Sequence, residues 1–150
     1  MDIYRLFRRI AAVSLAVSIA ACSTVDSPTG PSVSGNWSNI GTTNNGNIKV
    51  SVDKNSIKKN GNLVTFRDRK VVVKPGTHNY ANTPKYKTAI GTWEIHCTHK
   101  TYRLTALQLL DEKGTVVANE TYTAAGLRPM SVQGGTITEK QFETACGKKL

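Results

Sequence analysis

The thiol of Cys22 is the group whose sequence context most directly predicts a chemical reaction. Three arginines within the first nine residues are followed by an apolar run over residues 10–21, which is too short to span a bilayer. Residues 19–22, Ile-Ala-Ala-Cys, resemble the bacterial lipobox, in which the cysteine thiol accepts diacylglycerol and cleavage makes that cysteine the N-terminus. We therefore expect a lipoprotein signal peptide over residues 1–21 and lipid attachment at Cys22. An ordinary secretory signal, which also ends in small residues, is the alternative.

Acylation of Cys22 would anchor the chain to a bacterial membrane. Each methylene that an acyl chain buries contributes about 0.8 kcal/mol, and more than one chain makes the anchor stable. Ser23 follows, and an uncharged residue there resembles the outer-membrane sorting signal of bacterial lipoproteins. Residues 22–34 are poor in apolar side chains and predict a lipidated tether, whereas residues 35–150 suit one compact domain.

Cys97 and Cys146 are the remaining cysteines, and an oxidising compartment favours a disulfide between them. Closing a loop of about 50 residues would stabilise the fold by about 4 kcal/mol in the chain-entropy model. A free nucleophilic thiol is the alternative, but neither cysteine is flanked by a motif that carries a base. We expect a structural bond.

His96 and His99 flank Cys97 and together resemble the ligands of a metal site. In an extended strand, however, residues 96 and 99 point to opposite faces, and the disulfide would occupy the cysteine. The chain has no G-x-S-x-G, H-E-x-x-H or phosphate-binding glycine motif, and Asp111 and Glu112 are adjacent in a predicted turn. We therefore expect a protein that is not an enzyme and that uses no metal or cofactor.

Short β-strands separated by turn residues dominate the pattern and predict an antiparallel sheet. Apolar residues alternate over residues 48–52, which gives Lys49 and Ser51 an exposed face. The dipeptide Asn60-Gly61 predicts a type I′ hairpin turn, because both residues tolerate a positive φ. Further strands are expected over residues 63–74, 90–99, 102–110 and 115–123, with a turn at 111–114 and loops at 75–84 and 124–135.

A capping box, Thr136 followed by Glu139, predicts a helix over residues 137–146. Three residues share its apolar face: Phe142, Ala145 and Cys146. On the strand over residues 90–99, Trp93, Ile95 and Cys97 share one face as well. The predicted fold is therefore α+β, an antiparallel sheet with a C-terminal helix packed on it and tied by the disulfide.

A series of motifs between Trp37 and Cys146 resembles the surface-adhesin protein E family of Gram-negative lipoproteins. The residues that carry the resemblance are Trp37, Val52-Asp53-Lys54-Asn55-Ser56-Ile57, Glu94-Ile95-His96-Cys97 with basic residues after it, Gly114-Thr115-Val116-Val117, and a terminal helix. Family members usually show Pro-Gly-Ser ahead of that helix, where this chain has Gly134-Gly135-Thr136. The resemblance implies a curved antiparallel sheet with the helix held on it by the disulfide. It also implies adhesion to host matrix proteins such as vitronectin and laminin, and a possible homodimer.

The excess of basic residues, 20 against 10 acidic ones, gives a formal net charge of +10 and predicts an anionic partner. Candidates are lipopolysaccharide or membrane phosphate, anionic polysaccharide such as sulfated glycosaminoglycan, acidic host protein and DNA. Nucleic acid is disfavoured, because few aromatic residues accompany the basic ones. The alternative is a solvated face that only maintains solubility. The candidate binding residues, of which Arg67 and Arg69 share a strand face, are Lys58, Lys59, Arg67, Arg69, Lys70, Lys74, Lys85, Lys87, Lys100 and Arg103.

Two functions are compatible with these features. The first is a surface-exposed adhesin, which the family resemblance and the basic residues favour. The second is a periplasm-facing accessory lipoprotein of an envelope or secretion assembly. A lipid-attachment site determines anchoring and not topology, so the sequence does not distinguish them.

Overall fold

The computed structural model describes residues 33–74 and 83–150. The predicted signal peptide, the lipid site at Cys22, nearly all of the tether and residues 75–82 of the predicted loop lie outside these ranges. The described residues form one antiparallel sheet and one C-terminal α-helix, which confirms the predicted α+β fold. The strands are β1 Trp37–Thr43, β2 Ile48–Asp53, β3 Lys58–Asn60, β4 Leu63–Val72, β5 Thr88–His96, β6 Thr101–Leu110, β7 Val116–Thr121 and β8 Met130–Ser131.

The strand order across the curled sheet is β1-β2-β4-β5-β6-β7, with β3 paired to β4 and β8 paired to β6. A 3₁₀ turn, Lys54–Ser56, links β2 to β3, so that these two strands follow one another along the same side of β4. The order is that of a meander, in which each long strand pairs with the next one along the chain. Local pairing of this kind explains why alternation and turn residues predicted most of the strands.

The helix α1, Ile137–Cys146, begins and ends at the predicted residues. The hydroxyl of Thr136 accepts a hydrogen bond from the Glu139 N–H (3.4 Å), while the Glu139 carboxylate accepts one from the Gly135 N–H (2.6 Å). Gly147 follows with φ of 68°, the left-handed conformation that glycine adopts without steric cost, and its N–H donates to the Glu143 carbonyl.

The core lies between α1 and one face of the sheet, here called the helix face. Val52, Val64, Phe66 and Ile95 contribute from the sheet, and the fully buried Phe142 contributes from the helix. Burying each of the larger apolar side chains stabilises the fold by about 1.5–3 kcal/mol. Partly buried Trp93 and Cys97 pack against the same cluster as Ile95, as the strand alternation predicted.

The disulfide between Cys97 and Cys146 is confirmed, with 5.8 Å between the two Cα atoms. It joins the residue after β5 to the last residue of α1. A helix of ten residues is marginal in isolation, so this bond and the core contacts keep it folded on the sheet.

A buried carboxylate at Asp68 connects the helix to the sheet and was not predicted. Its side chain, 1% exposed, accepts hydrogen bonds from Trp93 Nε1 (2.7 Å) and Gln141 Nε2 (2.7 Å) and forms an ion pair with Lys70. Gly91 lies opposite Asp68 on β5. A Cβ at position 91 would lie 2.5 Å from Asp68 Oδ1, so only glycine leaves room for this network.

Three local predictions differ from the structure. The β3–β4 turn has Gly61 and Asn62 as its central residues, and only Gly61 has a positive φ, so the predicted type I′ turn at Asn60-Gly61 is wrong. β5 ends at His96 rather than at residue 99. The predicted loop over residues 124–135 contains the short strand β8, which pairs with the start of β6.

Candidate functional site

The side of the sheet opposite α1, here called the far face, carries Trp37 of β1. β1 was not predicted. The indole ring lies 4.7 Å from the guanidinium carbon of Arg69 and 5.3 Å from that of Arg67, both on β4. Because β2 lies between β1 and β4, the ring must cross β2 to reach them. This crossing explains why Ser51 is only 8% exposed, and it overturns the prediction of an exposed face for that residue.

Asp53 binds Arg67, which is the arginine that lies nearer to the 3₁₀ turn. Arg67 donates to the Asp53 carboxylate at 2.5 Å, and the N–H groups of Asn36 (2.9 Å) and Asn55 (3.1 Å) donate to its other oxygen. Burial of Asp53 opposes ionisation, but the hydrogen bonds from Arg67 and these two N–H groups outweigh it and hold the pKa of Asp53 below its usual 3.8. This carboxylate is therefore charged at neutral pH.

The chain enters the domain on this same face. Arg67 also donates to the carbonyl of Ser34 (2.9 Å), and the indole N–H of Trp37 donates to the carbonyl of Val33 (2.7 Å). Both carbonyls belong to residues that were assigned to the flexible tether. The end of the tether is thus attached to the sheet beside the two arginines.

Arg69 differs from Arg67 because it forms no ion pair with any of the described residues. Its Nε atom is inaccessible to solvent and has no acceptor within residues 33–74 and 83–150. The guanidinium carbon lies 4.7 Å from the centroid of the Trp37 ring, and this cation–π contact restricts the side chain, whose terminal Nη groups are further donors. An arginine held in this way is suited to a carboxylate, sulfate or phosphate group.

Two lysines extend the positive charge along the strand direction. Lys49 of β2 lies opposite Val71, and Lys58 of β3 lies opposite Thr65. Facing residues in a sheet point to the same side, so both lysines share the far face with the arginines. We call these four side chains the cationic stripe: Lys58, Arg67, Arg69 and Lys49. It runs for about 20 Å, the six residue steps from Thr65 to Val71 of β4.

The stripe contains three of the ten candidate binding residues and one residue that sequence reasoning missed. Lys49 was assigned to an exposed face, but nothing in the sequence placed it beside Arg69, because that proximity depends on the β2–β4 register. An open cavity of about 390 Å³ lies between Lys58 and Arg67, and its lining includes Asn55, Thr65 and Thr92.

The remaining candidates are dispersed. Lys59 lies opposite Val64 and Lys70 contacts Asp68 and Trp93, which places both on the helix face. Arg103 is on the far face but is paired with Glu94 at 2.8 Å. The others lie near the ends of strands: Lys74 after β4, Lys87 before β5, Lys85 beside a cavity of about 370 Å³ lined by acidic residues of the β6–β7 turn, and Lys100 in the β5–β6 turn.

The imidazole rings of His96 and His99 stack with centroids 4.0 Å apart, so the argument that they face opposite ways is wrong. β5 ends at His96, and the following turn brings His99 back over it, where the backbone N–H of His99 donates to His96 Nδ1 (3.1 Å). This bond occupies the Nδ1 lone pair of His96, so only Nε2 of that ring could bind a metal. Within residues 33–74 and 83–150, no cluster of three or more His, Cys, Asp or Glu side chains is placed to hold a metal ion.

Within the same two ranges, no helix has the length and apolar character needed to cross a membrane. The family model of surface-adhesin protein E matches residues 37–147 of the chain. A solved structure of Haemophilus influenzae protein E is similar, with a TM-score of 0.52 at 14% identity, covering 79% of this chain and 89% of that one. A second structure, of protein E from non-typeable Haemophilus influenzae, gives 0.47 at 12% identity, with coverages of 79% and 90%. No curated protein sequence matches significantly.

Proposed function

Because the chain belongs to the surface-adhesin protein E family, we propose that it is an outer-membrane lipoprotein that attaches the cell to host matrix proteins, with vitronectin and laminin as its ligands. One observation carries this proposal, namely that the family model extends over residues 37–147, from the tryptophan of the far face to the residue after the disulfide. It therefore includes the whole sheet and the helix. Members of this family are binding proteins, and the proposal requires neither a catalytic group nor a cofactor.

Anchoring through Cys22 completes the proposal. The lipobox-like sequence lies eleven residues before Val33, where the described chain begins on the far face. An extended chain spans at most about 3.3–3.6 Å per residue, so the tether would reach roughly 40 Å. The domain would then lie close to the membrane and expose its ligand surface from there.

Binding of the full-length protein to immobilised vitronectin and laminin tests the ligand. The protein, purified in mild detergent, should bind at least one of them with an affinity that falls as salt rises, since exposed charges are screened beyond about 8 Å at physiological ionic strength. A protein that binds neither at micromolar concentration would overturn the proposed ligands.

Protease treatment of intact cells tests the location. Digestion of the domain before the outer membrane is broken supports the adhesin. Protection until the membrane is broken supports the second candidate, a periplasm-facing accessory lipoprotein, and removes the adhesin. A periplasmic marker protein provides the control for membrane integrity.

A further inference from the structure

We propose that the cationic stripe is a binding site for a linear sulfated polysaccharide, which the protein would contact along the strand direction of β4. The inference deepens the proposed adhesin function and rests on it for the exposure of this face to the host. It names a ligand class and four contacting side chains: Lys58, Arg67, Arg69 and Lys49.

The shape of the charge distribution favours a linear ligand. The four cationic side chains follow one another along β4 over about 20 Å. Asp53 neutralises Arg67 through its ion pair, so Lys58, Arg69 and Lys49 carry the charge that is not paired with an acidic side chain of the described residues. The other register neighbours of the two arginines are uncharged. Ser51 lies opposite Arg69 on β2, and Ile90 and Thr92 lie opposite Arg69 and Arg67 on β5. The next charged pair on this face, Glu94 with Arg103, is internally neutral. A membrane surface would be matched by cations spread in two dimensions, and this face presents a line.

The contacting groups favour sulfated sugars. Arg69, held against the Trp37 ring, has no acidic partner among the described residues, and planar guanidinium groups bind oxyanions with two parallel hydrogen bonds. Lys49 and Lys58 are exposed point charges at the two ends. The cavity between Lys58 and Arg67 is lined by the amide of Asn55, the hydroxyl-bearing Thr65 and Thr92 and the carboxylate of Asp53, groups that can hydrogen-bond to sugar hydroxyls.

The chain provides a matched pair of double variants for the test. Lys49→Gln with Lys58→Gln removes two charges from the stripe. Lys59→Gln with Lys140→Gln removes two charges from exposed lysines on the other side of the sheet, one of them adjacent in sequence to a stripe residue. The two proteins have the same net charge. None of these four lysines forms an ion pair with a residue of the described ranges, and circular dichroism and thermal melting would verify that both variants fold.

Isothermal titration of the full-length protein with a heparin-derived decasaccharide measures binding. The stripe variant should bind about five- to twentyfold more weakly at physiological salt, because it loses two exposed charge contacts, while the control variant should stay within about twofold of the parent. The plot of log affinity against log salt has a negative slope. By analogy with single-stranded nucleic acid, the magnitude of that slope should decrease by roughly 1.4 in the stripe variant only. Equal losses in the two variants would show that net charge alone is responsible and would overturn the site.

Three further titrations test the ligand class. A desulfated decasaccharide of the same length, phosphatidylglycerol vesicles and duplex DNA should each bind the parent more weakly than the sulfated chain. Tighter binding of any of them would overturn the assignment.

Loss of heparin binding in the stripe variant with unchanged binding to vitronectin and laminin supports the stripe as a separate sugar site. A parent that binds the matrix proteins but not heparin overturns this inference and leaves the adhesin function standing, whereas one that binds heparin alone removes the matrix-protein ligands.

Discussion

Replacement of Asp68 by alanine should destabilise the domain more than most other single substitutions. The carboxylate is 1% exposed and serves as the acceptor for Trp93 of the sheet and Gln141 of the helix. Its third partner, the Lys70 ammonium, is partly exposed and can be hydrated when its partner is lost. Gln141 is only 2% exposed, so its side-chain amide cannot be hydrated when the carboxylate is lost.

The cost follows from these contacts. A hydrogen bond to a charged group contributes about 1.5–3 kcal/mol, and removing one partner of a buried pair costs about 3–5 kcal/mol. Since Lys70 keeps access to water, we expect Asp68→Ala to lower the free energy of unfolding by about 3–4 kcal/mol, which corresponds to a melting temperature roughly 10–15 °C lower for a domain of this size. That is a large part of the 5–15 kcal/mol that stabilises a typical domain.

Urea unfolding with the disulfide intact measures the effect, with tryptophan fluorescence and near-ultraviolet circular dichroism as two independent signals. Glu112→Ala, in an exposed turn, is the control and should change stability by less than about 0.5 kcal/mol. A double-mutant cycle with Gln141→Ala should give a coupling free energy above about 1 kcal/mol. A loss below about 1 kcal/mol for Asp68→Ala, or no coupling, would refute the role of this carboxylate in holding the helix.

Three further predictions concern other parts of the chain. Cys97→Ser should lower the free energy of unfolding by about 4 kcal/mol, measured by urea unfolding; free thiols at Cys97 and Cys146 in envelope-derived protein would contradict the pairing. The pKa of Asp53 is lower in the folded state than the unfolded value of 3.8. The ionised carboxylate therefore contributes its full stabilisation to the fold above pH 3.8, and this stabilisation is lost as the pH falls through the folded pKa. Acid unfolding of Arg67→Gln should therefore show a weaker pH dependence below pH 4 than the parent. Cys22→Ser should move the protein out of the detergent phase in phase partitioning, and unchanged partitioning would exclude lipid at that residue.

Features that depend on neighbouring residues in the sequence were predicted well. Thr136, Glu139 and the glycine after the helix act within a few residues of each other, so the helix could be placed at its observed ends. The disulfide followed from the number of cysteines and the expected compartment, which are properties of the whole sequence.

Features that depend on contacts distant in sequence were missed. Asp68 lies in the run Arg-Asp-Arg-Lys, which is typical of a solvated strand, and its burial comes from Gln141, 73 residues later. β1 contains Asn, Gly and Thr without apolar alternation and is held by pairing with β2. The stripe itself required the register of β2 and β3 against β4, because Lys49 and Arg69 are brought together only by that pairing.

The attachment of residues 33–36 to the far face has a mechanical consequence. A force applied between an N-terminal anchor and a ligand on the cationic stripe would enter through β1 and the contacts of Asp53 with Asn36, and it would leave through β2, β3 and β4. The Cys97–Cys146 bond joins β5 to α1 and lies outside this path. Under shear, therefore, rupture would be resisted by the β1–β2 and β2–β4 hydrogen-bond ladders, whereas the disulfide would preserve the remainder of the fold without bearing the load.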